Sequence, residues 1–340
     1  MIDLLSRLGS FELLEAPWAR GVSGPSWLRP LRRRRAQRDI GAGLAAGMAP
    51  SRDAQALFFA IALTPNMVSI AAETIRARGD TGSHKVLYID ENIEPDDVAA
   101  EHWGHFDHIV CFCADLAAQI AEATGVPTSY WPPHLDLLRF HSTDTYRPID
   151  LICFGRSRTD ILFEMQRRFL DPTRSALCMD FVTRTQPDRT QPAEAEFRLL
   201  FDTLRKSRAS LCFPPDDVPR FKGRSPLLAR WLYAWAAGCA VFGTRPRSVG
   251  AQPHMDWREA TVTLPEDVDA AGDLIDAALA DGPTLRRHGL INASEALSRH
   301  DTRQRLQALF ATLDLTFPVA LQAELAQLSE LAKSVRDAAD

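Results

Sequence analysis

Lysine is nearly missing from this chain. Of its 39 basic residues only Lys85, Lys206, Lys222 and Lys333 are lysines, and the rest are arginine. Together with the abundant alanine, that bias points to a GC-rich coding sequence rather than to a function. Long apolar runs are missing too. None reaches the roughly 18 residues that a transmembrane helix needs, and Asp3, Arg7 and Glu12 interrupt the N-terminal apolar stretch where a signal peptide would need it unbroken. The six cysteines, Cys111, Cys113, Cys153, Cys178, Cys212 and Cys239, include no C-x-x-C pair. Several lie inside apolar runs, so they read as buried thiols in a reducing, cytoplasmic compartment rather than as disulfides or zinc ligands. No glycine-rich dinucleotide or phosphate-loop fingerprint occurs. His102, His105 and His108 form no supported metal-ligand pattern, and no internal repeat stands out. A net charge of -5 removes any general case for nucleic acid as a partner. Asn292-Ala293-Ser294 matches the glycosylation sequon, which is coincidence in a cytoplasmic protein.

What is present fits two domains. The 340 residues are 46% hydrophobic with mixed charge, as in an ordinary globular protein. Residues 1–55 read as an N-terminal extension. Ile2, Leu4, Leu5, Leu8, Phe11, Leu13 and Leu14 suggest a short amphipathic helix, which Pro17, Gly21, Gly24 and Pro25 break. The run Arg32, Arg33, Arg34 and Arg35, flanked by Trp18 and Trp27, is either a peripheral contact with an anionic membrane face or acidic carrier, or a solvated helix face. Residues 41–51 read as a small-residue helix end or loop.

From Ala56 onward, strands and helices alternate at short spacing. Residues 56–63 (ALFFAIAL), 85–90 (KVLYID), 106–113 and 128–131 read as strands. The helices between them span 67–78, 98–102 and 114–124, with Gly79 and Gly125 as stops. Asp90 and Glu91 fall at the C-terminal end of the second strand, where ligands collect in open α/β sheets. A second alternating series follows. Its strands are 149–154, 176–182, 209–213 and a further one within 257–264. Its helices are 160–169, 196–205, 267–281, 285–297, 303–313 and 320–339. Short-range alternation of this kind argues for parallel, doubly wound sheets.

The most informative stretch is 221–246, FKGRSPLLARWLYAWAAGCAVFGTRP. It runs from a basic loop to a helix, a glycine stop at Gly238, a buried strand over 239–243 and a polar turn. Pro226 stands at a first helical position, with Ser225 as its N-cap. A helix N-terminus with Lys222, Arg224 and Arg230 around it is suited to holding phosphate. Gly243 and Thr244 mark the strand end. An ordinary helix–glycine–strand unit with basic surface residues has the same pattern.

This stretch resembles the nucleotide-sugar-binding part of GT-B glycosyltransferases, which read roughly Glu, seven residues, Glu-Ala-Met-Ala-x-Gly-x-Pro-Val. Tyr233-Ala234-Trp235-Ala236-Ala237-Gly238-Cys239-Ala240-Val241 aligns with the second half of that pattern. Arg230 fills the arginine of the Arg-x-x-Glu-x-x-Ala-x-Gly variant seen in bacterial polysaccharide-type members. Ser225 and Tyr233 stand where the family has its two glutamates. Elsewhere Pro133, Asp136 and Phe140 are similar to the family's Pro-x-Gly-Val-Asp interdomain segment, the strand 149–154 followed by Gly155 and Arg156 is similar to the start of its donor domain, and His300-Asp301-Thr302-Arg303 resembles its late His-x-x-Arg.

The resemblance implies two Rossmann-like doubly wound domains facing an interdomain cleft. These would be an acceptor domain over 56–140 and a donor domain over 148–310, with helices at 311–340 that pack back on the first domain. It implies a transferase of hexosyltransferase type that moves a sugar from a nucleotide-sugar co-substrate to a glycan, lipid-linked or protein acceptor, with no metal and no other cofactor. Gly155, Arg156, Lys222, Arg224, Arg230, Tyr233 and Thr244 would bind the donor, the cations stabilising the leaving diphosphate. Tyr233 either stacks on the base or bonds the ribose, or is core packing. Asp90 and His84 stand as the catalytic candidates, either of them for the base that an inverting enzyme needs. A retaining enzyme needs none, and both stereochemistries stay open. A non-catalytic nucleotide- or sugar-binding protein that lost the donor glutamates is the alternative.

Overall fold

The computed structural model describes residues 29–46, 56–79, 83–155, 158–171, 173, 177–181, 193–216 and 218–340. The helix expected near residues 2–14 lies outside them. The chain divides into two compact units: residues 1–131 with 310–316, and residues 132–309 with 317–340.

The first unit holds helix α1 (Arg29–Ala46), strand β1 (Leu57–Ala62), α2 (Pro65–Arg78), β2 (His84–Ile89), α3 (Ala100–Trp103), β3 (His108–Cys111), α4 (Ala114–Thr124) and β4 (Thr128–Tyr130). Its four strands are parallel and lie in chain order. Leu87, Ile89, Ile109 and Cys111 bury one face of the sheet with Val68, Ala72 and Ile75 of α2 and Leu116 and Ile120 of α4. Gly79 and Gly125 end their helices at φ 61° and 70°, a backbone conformation that costs glycine nothing. Residue 41 is not a helix end. α1 runs on through Ala46, and Gly41 is the point at which it touches α2: a Cβ there would stand 2.8 Å from the Glu73 Cβ. Packing demand placed that glycine, which local propensity reads as a break.

The second unit holds β5 (Ile149–Phe154), α5 (Thr159–Phe169), β6 (Cys178–Phe181), α6 (Ala193–Leu204), β7 (Ser207–Cys212), α7 (Ala229–Ala236), β8 (Ala240–Gly243), β9 (Val262–Thr263), α8 (Val268–Ala280), α9 (Gly282–Arg299), α10 (Thr302–Thr312), whose two ends fall in different units, and α11 (Val319–Asp337). Its five parallel strands lie in the order β6-β5-β7-β8-β9. The order turns back after β6, so a topological switch point falls between β5 and β7. In open α/β sheets the ligand crevice opens outside the C-terminal strand ends at such a point.

Tryptophans anchor this unit. Trp231 and Trp235, one turn apart on α7, are wholly buried, and both indole N–H groups are satisfied, on Thr261 Oγ1 at 2.9 Å and the Ala260 carbonyl at 2.8 Å. Trp257 donates to Asn292 Oδ1 at 2.8 Å, and Asn292 Nδ2 donates to the Cys239 carbonyl at 3.0 Å. The sequon asparagine is therefore a buried structural bridge. All six cysteines are free thiols, five of them buried. The last helix, α11, packs Leu328, Ala332 and Val335 into the same core as α9.

Gly243 closes β8 at φ 154°, and a Cβ there would sit 1.8 Å from the Cys212 carbonyl oxygen across the ladder. No side-chain movement relieves a clash with backbone. We expect Gly243→Ala to cost about 3 kcal/mol, read as a lower urea midpoint at unchanged slope.

Candidate functional site

The C-terminal ends of β5, β7 and β8 present Gly155, Cys212 and Gly243 along one sheet edge. Gly155 turns at φ 69°, and the Arg230 guanidinium lies beside it, with Cζ and Nη2 each 3.7 Å from the place a Cβ would take. Arg230 is the second residue of α7, so its side chain and the helix N-terminus share the same edge. The Cys212 thiol faces the Arg230 carbonyl at 3.7 Å. Burial pushes the pKa of that thiol up to about 12 despite the nearby Arg230 charge, so it stays protonated. The structure thus joins two of the expected donor residues, Gly155 and Arg230, at the switch point.

Lys222 and Gly223 form a tight left-handed turn just before α7, at φ 49° and 78°. Left-handed backbone is uncommon for lysine and is tolerated where the surroundings hold it in place. Lys222 is exposed and Arg224 half-buried in this loop. Thr244 follows Gly243 at the edge and is half-buried. Arg156 lies outside the described residues.

Ser225 does not cap the helix. α7 begins at Ala229 with Leu228 at its N-cap position, and Ser225, which is buried, lies four residues before the helix starts. Its Oγ accepts from the Arg247 backbone N–H at 2.9 Å, and its carbonyl accepts from the Ser248 N–H at 3.1 Å. An Arg247–Asp216 ion pair at 2.5 Å repeats the link. The loop entering α7 is thereby tied to the loop leaving β8. A partner 22 residues away satisfied the serine, which a local cap pattern cannot anticipate.

Tyr233 belongs to an aromatic cluster. Its ring stands edge-on to Phe197 at 5.1 Å, and Phe197 and Phe201 both pack against Phe140. The ring is thus engaged in packing against α6.

In the first unit Asp90 follows β2 directly and accepts from the Tyr88 hydroxyl at 2.8 Å. The side chain keeps solvent access, but the protein packed around it, aided by the Glu91 charge, holds its pKa above the ordinary carboxylate value, against the Tyr88 hydrogen bond. A raised carboxylate at a C-terminal strand end has the character of a general base. His84 does not join it. It is the first residue of β2, pairing with Leu57, and six residues of strand, roughly 20 Å, separate it from Asp90. The two candidates therefore lie at opposite ends of β2 and do not share one reacting centre. Among the described residues no three His, Cys, Asp or Glu side chains come together as a metal ion would require. No described helix is long and apolar enough to cross a membrane.

Motif reading by itself did not pair Asp136 with Arg303. Arg303 is wholly buried and donates to Asp301 at 3.0 Å, Asp136 at 2.9 Å and Glu324. Burial lowers its pKa, but the surrounding carboxylates outweigh that and raise it, so it stays charged. Nearby, His300 is buried beside Trp235, with one ring nitrogen facing the Pro133 carbonyl at 3.1 Å and the other the His254 carbonyl at 2.8 Å. Burial and the Arg305 charge push its pKa down to about 3, and His134 likewise to about 3. The unfolded chain takes up these protons near pH 6.5, whereas the folded chain does so only near 3. The associated stability is therefore present above about pH 6.5 and is lost as the pH falls toward 3. At pH 5 the loss from His300 alone is about 2 kcal/mol. We expect the denaturant midpoint to fall between about pH 7.5 and 5, and the fall to be smaller in His300→Gln. Equal slopes against pH in the two proteins would contradict the assignment.

No family model and no curated sequence matches the chain. Solved structures do. TarM superposes with a TM-score of 0.54 at 8% identity, covering 81% of this chain and 58% of TarM. A point mutant of S. aureus TarM, solved in complex with fondaparinux, alpha-GlcNAc-glycerol and UDP, gives 0.53 at 7% identity over the same shares. Anabaena HepE, solved in complex with UDP and glucose, gives 0.52 at 10% identity over 81% of each chain.

The fold is GT-B.

This GT-B chain spans somewhat over half of TarM's length. At such identities the agreement is one of architecture. The residues at the β5/β7 edge must carry the functional argument.

Proposed function

We propose that this GT-B protein is a glycosyltransferase that moves a sugar from a nucleotide-sugar donor to a glycan, lipid-linked or protein acceptor. The observation that carries the reading is the Arg230 guanidinium against Gly155, at the switch point of the second sheet. The glycine turn leaves room for a ligand's phosphates to approach backbone, and the arginine supplies fixed positive charge where the diphosphate leaves. Lys222 and Arg224, in the loop ahead of α7, would add to that field, and Thr244 would border the donor. Such preorganised cations stabilise the charge that develops in the transition state without a metal ion. Asp90, with its raised pKa, is the candidate base on the acceptor side. Because the solved structures of HepE and of the TarM mutant hold UDP, UDP is the first nucleotide to try.

The same reading places the protein in the cytoplasm, with the Arg32–Arg35 run touching the inner membrane face. Those four residues lie on α1, and their side chains lie outside the described residues. Co-sedimentation with anionic vesicles, weakened when the four arginines become glutamine, is the expected outcome.

The direct test is a thermal-shift panel of UDP, GDP, ADP, CMP and TDP compounds on wild type and Arg230→Ala. A ligand bound only to the native state raises the midpoint according to its concentration over Kd. We expect one nucleotide to shift the wild type, and the variant to lose that shift. Equal shifts in both proteins, or none at millimolar ligand, would overturn the assignment. A shift without sugar transfer or donor hydrolysis would instead indicate the non-catalytic binding protein.

A further inference from the structure

We propose that the second unit carries a separate site for a small phosphate-bearing anion, at the end of its sheet opposite Gly155 and Arg230. A cavity of about 220 Å³ lies there, with Thr145, Arg147, Arg208, Gly282 and Arg286 in its walls. Arg147 precedes β5 by two residues, Arg208 is the second residue of β7, and Gly282 opens α9. All three mark the N-terminal side of the sheet. The length of the strands, roughly 20 Å, separates this cavity from the candidate donor edge, so one ligand cannot fill both.

Three guanidinium groups face one cavity, and no carboxylate lines it. Arg208 is neutralised by Asp150 at 2.6 Å. Arg147 gives three of its five N–H donors to backbone carbonyls: Asp144 at 2.9 Å, Ser207 at 2.6 Å and Ala237 at 2.7 Å. Arg286 makes one long contact, 3.5 Å, with the Asp144 carbonyl. Among the described residues neither Arg147 nor Arg286 has a carboxylate within ion-pair distance. Arg286 is exposed and Arg147 half-buried, and a cation drawn even partly away from water, as Arg147 is, is ordinarily paired. Burial lowers the Arg147 pKa, and the Arg286 charge adds to that, against the opposing pull of Cys239 and the Asp144 carboxylate.

Preorganisation and size set the ligand class. Three carbonyls fix the Arg147 fork in place before any ligand arrives. Guanidinium groups are the preferred partners of phosphate oxygens, which they meet in bidentate fashion. α9 opens on the same wall, but its N-terminus is already capped: the Asp281 carboxylate accepts from the Thr284 N–H at 3.1 Å, and Pro283 has no N–H to offer. Leu285 and Leu290 supply an apolar side. The volume equals about seven waters. That suits a phosphate on a body of a few carbons and is too small for a nucleotide-sugar. An occupant would link the segment before β5 to the start of α9, and so act on the donor-type unit without touching its C-terminal edge.

The test is calorimetric titration of the full chain with inorganic phosphate, alongside Arg286→Glu, Arg286→Ala and Arg230→Ala. Arg286 is exposed, so its replacement should leave the melting temperature in phosphate-free buffer unchanged. We expect saturable phosphate binding in the wild type, weakened about tenfold in Arg286→Ala, abolished in Arg286→Glu, and retained in Arg230→Ala. Binding that survives Arg286→Glu, or that only Arg230→Ala removes, would overturn the proposal. So would a wild type that shows no saturable binding at millimolar phosphate. The donor reading does not depend on this result, because Arg230→Ala reports on it separately.

Discussion

Arg230→Ala is expected to lower kcat/KM for sugar transfer by about 10²–10³, equivalent to about 3–4 kcal/mol of transition-state stabilisation. The guanidinium stands beside Gly155 at the end of β5, where the chain turns left-handed and brings its backbone to the edge. Negative charge grows on the leaving diphosphate as the glycosidic bond breaks. A cation that acts mainly on that charge stabilises the transition state more than the bound donor. The loss should therefore fall on kcat more than on KM. Arg230→Lys should recover only part of it, because an ammonium group cannot reproduce the planar two-point contact. The melting temperature should hardly move, since Arg230 is half-buried and the helix core is made by Trp231 and Trp235. A rise in KM at constant kcat would instead mean that Arg230 holds the donor equally in both states.

Arg303→Leu is expected to destabilise the second unit by about 3–5 kcal/mol. Arg303 lies among three carboxylates, and Asp301 beside it is wholly buried. Removing the arginine leaves Asp301, whose pKa desolvation already raises, with no counter-charge in a place that water does not reach, so it either stays ionised and unpaired or takes up a proton. Asp301 also accepts from the Leu137 N–H at 2.8 Å and the Arg303 N–H at 2.7 Å, so it cannot swing out without opening the backbone around it. The double change Arg303→Leu with Asp301→Asn should regain much of the loss, because the stranded charge and not the lost packing dominates it. Urea midpoints of the three proteins check this. A single variant within 1 kcal/mol of wild type would show that the network is not a source of stability.

The alternation of strands and helices is legible in sequence because parallel strands buried on both faces read as apolar runs, and glycines in left-handed turns close the helices. Gly79 and Gly125 are such stops, and the runs 57–62 and 84–89 became neighbouring strands in register. The misreadings share one cause. Ser225 looks like a cap because its true partner, Arg247, is 22 positions away. Gly41 looks like a helix end because nothing local announces that α2 will press against it. His84 is different: strand length alone separates it from Asp90, and a count of residues along β2 suffices to show it. Arg147, Arg208 and Arg286 are scattered over 140 positions, and only the fold brings them to one cavity. Asp136 and Arg303 each stand out by resemblance, yet their pairing across 167 positions is a property of tertiary structure.

The most direct test of the donor site is a crystal structure of the protein with UDP bound. The account predicts the diphosphate at the C-terminal ends of β5 and β7, with an oxygen in hydrogen-bond reach of the Arg230 guanidinium and close to the Gly155 backbone. A diphosphate bound elsewhere on the molecule, with Gly155 and Arg230 untouched, would contradict it.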